Sequence, residues 1–109
     1  MTARLARLAP GAALLLAALA GCAGAERPVR HEIAIQAFVY QPASAPVHPG
    51  DTLVFVNRDA VPHTATANDG SWDTGDIPAN GTKAVVVPAA GDYRCAIHPT
   101  MVGRVDAEK

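Results

Sequence analysis

The sequence predicts an all-β domain, a Greek-key β-sandwich or barrel of about 7–8 strands. Three observations predict it. The chain is 109 residues long, enough for one small domain. Short alternating segments recur along it, with no window of persuasive helical period. Gly, Pro, Asn and Asp punctuate those segments regularly, as in sandwiches and barrels.

The segments follow in order. His31 to Ala37 alternates, placing Ile33 and Ile35 on one face. Thr52 to Asn57 is rich in β-branched and aromatic residues, and Pro49-Gly50-Asp51 supplies the turn before it. Pro62 to Ala67 is a shorter extended candidate. Thr82 to Val87 follows the turn signal Asn80-Gly81. Tyr93 to Ala96 and Val102 to Asp106 complete the set. Phe38, Phe55, Trp72 and Tyr93 are the expected core aromatics.

Residues 1–21 stand apart. Arg4 and Arg7 form a short basic end, an Ala/Leu run extends from Leu8 to Ala20, and Leu19-Ala20-Gly21-Cys22 closes it. The run is too short to span a bilayer, and its layout is that of a secretory signal. The closing four residues resemble the lipobox of bacterial lipoproteins. That resemblance implies cleavage before Cys22, lipid on its sulfur, and a protein exported and anchored to a bacterial membrane facing the periplasm or cell exterior. Ala23, in place of an Asp, leans the expectation toward the outer membrane. The expected organisation is a signal peptide over 1–21, a tether over 22–29 and the working domain over 30–109.

Nine Lys/Arg against ten Asp/Glu give a net charge of −1. Losing residues 1–21 removes Arg4 and Arg7, leaving seven against ten. A mildly acidic domain without a basic stripe argues against a nucleic-acid partner.

The chain has two cysteines, Cys22 and Cys95. If Cys22 carries lipid, Cys95 is a lone thiol in an oxidising compartment, where it needs a ligand or a task. Cys95, His98 and Met101 fall at intervals of three: a thiolate, an imidazole and a thioether in one segment. His63, 32 positions earlier, supplies a fourth donor where one strand hands over to the next. Two His and one Cys with a weak axial Met define the blue-copper electron-transfer site, whereas zinc normally takes four strong ligands without Met. A catalytic cysteine needs a base and an orienting group, a task for which Met is unsuited. His31 and His48 fall in no such pattern and are expected to be surface or satisfied residues.

These residues resemble the cupredoxins, the small blue copper proteins, in their amicyanin/plastocyanin-like branch. The resemblance covers nearly all of residues 31–107. It rests on Asn57-x-Asp59-x-x-Pro62-His63-Thr64, on Trp72-Asp73-Thr74-Gly75 with Pro78, and on Gly91-x-Tyr93-x-Cys95-x-x-His98-Pro99-x-Met101-x-Gly103. It implies one copper ion held by His63, Cys95, His98 and Met101. It places Thr64 beside the ligands and Pro62 and Pro99 in an apolar patch around His98, with the Pro62 carbonyl near the opposite axial direction.

Two departures are visible. Gly91 lies four positions before Cys95 where members often have Gly at six, so this strand looks two residues shorter. Thr64 stands where amicyanin usually has Asn. Loss of two residues keeps the Cys on the same face of its strand.

The function implied is one-electron transfer between redox donor and acceptor proteins outside the cytoplasm, by a monomer. Copper binding and delivery with the same ligands is the alternative. Enzyme chemistry is disfavoured, because copper oxidases and nitrite reductases need further copper sites and more chain.

Overall fold

A computed structural model describes residues 27–108. The signal segment, the lipobox with Cys22 and the first part of the tether lie outside the described residues. Eight strands build the domain: β1 (Arg30–Gln36), β2 (Val39–Gln41), β3 (Ser44–Val47), β4 (Thr52–Asn57), β5 (Thr66–Ala67), β6 (Thr82–Val86), β7 (Gly91–Arg94) and β8 (Val102–Ala107). Among the described residues there is no helix, and hence none able to cross a membrane.

The strands form two four-stranded sheets, in the orders β2-β1-β4-β6 and β3-β8-β7-β5. β1 runs parallel to β4 and β3 parallel to β8, while all other neighbours are antiparallel. Alternation fixes the register, since a slip of one residue would turn every apolar side chain outward. Ile33 and Ile35 of β1 point inward beside Leu53 and Phe55 of β4. Ala45, Val47, Tyr93 and Val105 face them from the second sheet.

An aromatic cluster joins the layers. The Tyr93 ring lies 4.8 Å from Tyr40, 5.6 Å from Phe55 and 5.3 Å from Trp72, centroid to centroid. Tyr93 also crosses its pairing partner Gly103, where a Cβ would stand 2.2 Å from the ring carbon Cζ. Glycine at 103 is therefore a packing requirement.

Several expectations need correction. Phe38 is not a core aromatic: it is 47% exposed, and buried Tyr40 takes that place in the core. Of the Pro62–Ala67 segment only Thr66–Ala67 pairs as a strand, and His63 instead makes a single bridge with Ile77. The strand before Cys95 begins and ends two residues earlier than expected. β2 and β3 are additions that the sequence pattern does not predict. The Asn80 turn is present, with Asn80 at φ 61° and the Gly81 N–H donating to the Pro78 carbonyl at 2.8 Å.

The topology gathers chemistry at one pole. The β1–β2 turn, the loop after β4, the end of β7 and the start of β8 all meet there. At the other pole buried Asp51 ties the ends together. Its carboxylate accepts from the Val29 and His48 N–H groups at 2.9 and 3.0 Å and contacts His31 Nε2 at 2.8 Å. His48 pairs with Glu108 at 3.3 Å. His31 and His48 thus have structural partners far from the other two histidines.

Candidate metal centre

The site begins with Asn57, the last residue of β4, which is fully buried. Its amide nitrogen donates to the carbonyls of Val61, Ile77 and Pro78 at 2.9, 3.0 and 3.2 Å. Its Oδ1 accepts the Asp59 N–H at 3.0 Å. One side chain thereby folds the 58–62 loop and sets the approach to His63. The His63 backbone is then fixed on both sides by Ile77, at 3.1 and 2.7 Å.

The second ligand loop closes on itself. The Cys95 N–H donates to the Met101 carbonyl at 3.1 Å, and the Met101 N–H to the His98 carbonyl at 2.9 Å. This compact loop between β7 and β8 turns Cys95 and Met101 inward, and both are buried. His98 is half-buried between exposed Ile97 and Pro99.

His63, Cys95 and His98 converge. Their donor atoms form a triangle: 3.2 Å between the two Nδ1 atoms, 3.9 Å from Cys95 Sγ to His63 Nδ1, and 3.6 Å to His98 Nδ1. The centre of that triangle lies about 2.1 Å from each donor, which matches metal–imidazole bonds of about 2.0–2.1 Å and metal–thiolate bonds of about 2.3 Å. Three donors arranged around one such point fit a single metal ion. Two imidazoles and one thiolate beside a buried Met are the donor set that suits copper.

Two neighbours orient the donors. Asp59 Oδ2 lies 2.8 Å from His63 Nε2. An ionised carboxylate only accepts, so the ring proton sits on Nε2 and Nδ1 presents its lone pair to the site. Burial pushes the Asp59 carboxyl up, but the Phe38 N–H, His63 and the Ala37 N–H together hold it below the ordinary value. Thr64 acts on the sulfur: its N–H donates to Cys95 Sγ at 3.3 Å. Its hydroxyl accepts the Ala96 N–H at 2.8 Å, and its carbonyl accepts the Tyr40 hydroxyl at 2.6 Å.

The structure thus brings together His63, Cys95 and His98, with Met101 buried in the same loop and Thr64 buried behind the sulfur. Pro62 and Pro99 are exposed beside the ligands. Cys22 lies outside the described residues. Two residues of the site escape sequence reasoning. Asp59 is visible there only as part of a motif, and Phe38 reads as core. The Phe38 ring in fact stands edge-on to both imidazoles, 4.9 Å from His63 and 4.9 Å from His98.

No family model matches the chain, and no curated protein matches it. Solved structures do. An oxidised methionine-to-leucine variant of amicyanin superposes with a TM-score of 0.64 at 24% identity, covering 72% of this chain and 81% of that one. The Cu(I) form of a methionine-to-alanine variant gives 0.64 at 24%, covering 79% and 88%. The fold is that of amicyanin. A reduced tryptophan-to-tyrosine variant of amicyanin gives the same score at 22% identity.

Proposed function

We propose that this domain is a mononuclear type 1 copper protein that carries single electrons between redox partners outside the cytoplasm. The observation that carries the proposal is the donor triangle of His63, Cys95 and His98. Copper supplies the one-electron change between Cu(I) and Cu(II) when bound. The chain does the rest. Met101 supplies the weak fourth donor. Asp59 fixes the His63 tautomer, and the Thr64 N–H stabilises charge on the Cys95 thiolate. Pro99, next to His98, has no N–H to add a further bond to the sulfur. Two rigid sheets hold the frame in both oxidation states, which keeps reorganisation small.

The same reading gives the half-buried His98 the role of electron port. Exposed Ile97 and Pro99 flank it in the chain, the exposed Phe38 ring stands against it, and exposed Val61 and Pro62 precede His63, an apolar surface suited to transient contact with protein partners. The lipobox supports export and anchoring through Cys22, with 1–21 as signal peptide, 22–29 as tether and 30–109 as the working domain.

The test is a Cu(II) titration of the purified metal-free protein, followed by visible spectroscopy and voltammetry. An intense blue or green charge-transfer band with reversible one-electron cycling is expected. A pale product, or copper lost at each reduction, would replace the electron carrier by a copper-delivery protein.

A further inference from the structure

One carboxylate serves two purposes at the metal pole. Asp59 Oδ2 contacts His63 Nε2, and the same carboxylate accepts the N–H groups of Ala37 and Phe38 at 2.7 and 2.9 Å. Ala37 and Phe38 both adopt left-handed backbone conformations, with φ of 56° and 61°. Neither is glycine, so the turn is held against its own preference. The result is to seat the Phe38 ring edge-on against His63 and His98 at once, with nearly half of its surface in water. A large apolar side chain left this exposed, at the end of a strained turn, is explained by what it covers.

Resting on the copper reading above, we propose that the Ala37–Phe38 turn is a latched lid over the metal site, with Phe38 as the plate and Asp59 as the latch. Metal exchange then proceeds through opening of this turn. When the two N–H groups leave Asp59, the backbone strain is released and the ring departs from both imidazoles together. His63, Cys95 and Met101 stay buried in the frame throughout. Asp59 is a positioning residue: it acts through the turn and through His63.

The experiment loads the protein with Cu(I) and follows copper transfer to excess bicinchoninate, a water-soluble Cu(I) chelator, so no change of oxidation state is involved. Phe38→Ala removes the plate while leaving ligands and latch in place. It is expected to speed transfer about tenfold, the loss of two ring contacts. Ala37→Gly eases the left-handed turn and favours the closed lid, and is expected to slow transfer about threefold. Loaded separately with Cu(II), both variants are expected to keep the wild-type charge-transfer band, a readout that a damaged ligand frame would alter. A Phe38→Ala variant that turns blue with Cu(II) but releases Cu(I) at the wild-type rate overturns the lid alone. A chain that takes up no copper overturns both the lid and the copper reading.

Discussion

The backbone N–H of Thr64 points at the sulfur of Cys95 from 3.3 Å, across 31 residues of sequence. It is one of three bonds by which Thr64 joins the His63 segment to the rest of the site. The others run from Ala96 N–H to its hydroxyl and from the Tyr40 hydroxyl to its carbonyl. The Thr64 hydroxyl in turn contacts Thr66 Oγ1 at 2.9 Å, and Thr66 donates to Asp73. Replacing Thr64 by Val strips the Ala96 N–H of its partner. Stability to urea is expected to fall by about 1–3 kcal/mol, and Thr64→Ser is expected to retain most of it. The charge-transfer band of the copper-loaded Val variant is expected to shift as the Cys95 loop loosens.

Asn57 presents a larger loss. Truncation to Ala leaves three carbonyls and the Asp59 N–H without their shared partner. A destabilisation of about 2–4 kcal/mol is expected in urea unfolding of the metal-free protein. Because Asn57 sets the approach to His63, copper affinity is expected to fall as well.

Tyr93 and Gly103 form a packing pair with opposite expectations. Gly103→Ala drives a methyl group into the Tyr93 ring and should cost about 3 kcal/mol, read by thermal melting. Tyr93 Oη is buried without a hydrogen-bond partner, and burial raises its ionisation well above the ordinary tyrosine value. Tyr93→Phe deletes that unpaired hydroxyl while keeping the ring. Stability should be unchanged or higher by about 1 kcal/mol.

One acid-sensitive carboxylate lies at the pole away from the donors. The His31 contact, followed by the Val29 and His48 N–H groups, lowers the Asp51 ionisation from 3.8 to about 2. A carboxylate depressed on folding favours the folded chain above the unfolded value. That contribution is lost as pH falls from about 4 toward 2. Asp51→Asn should therefore lower stability at neutral pH and flatten the loss between pH 4 and 2. An acid titration followed by unfolding of the metal-free protein checks both.

Long alternating segments make much of this legible in sequence. Ile33 and Ile35 reveal β1, and Thr52–Asn57 reveals β4 to the residue. The shorter β2 and β3 are hidden because they carry little pattern. β2 is three residues long, and β3 contains Pro46, tolerated because β3 is an edge strand. Spacing identifies the three converging donors, since their residue types are rare in combination. It cannot reveal Phe38's place. An aromatic after an apolar strand looks like core, and only the left-handed turn latched by Asp59 carries it out over the imidazoles. The Asp59 contact with His63 depends on loop geometry that Asn57 imposes, which composition does not display.

X-ray absorption at the copper edge of the loaded protein tests the donor triangle most directly. One short sulfur scatterer and two imidazole nitrogens are expected in the wild type, with the sulfur and the colour both lost in Cys95→Ser. A copper shell of nitrogen and oxygen alone, or a band that persists in Cys95→Ser, would contradict it.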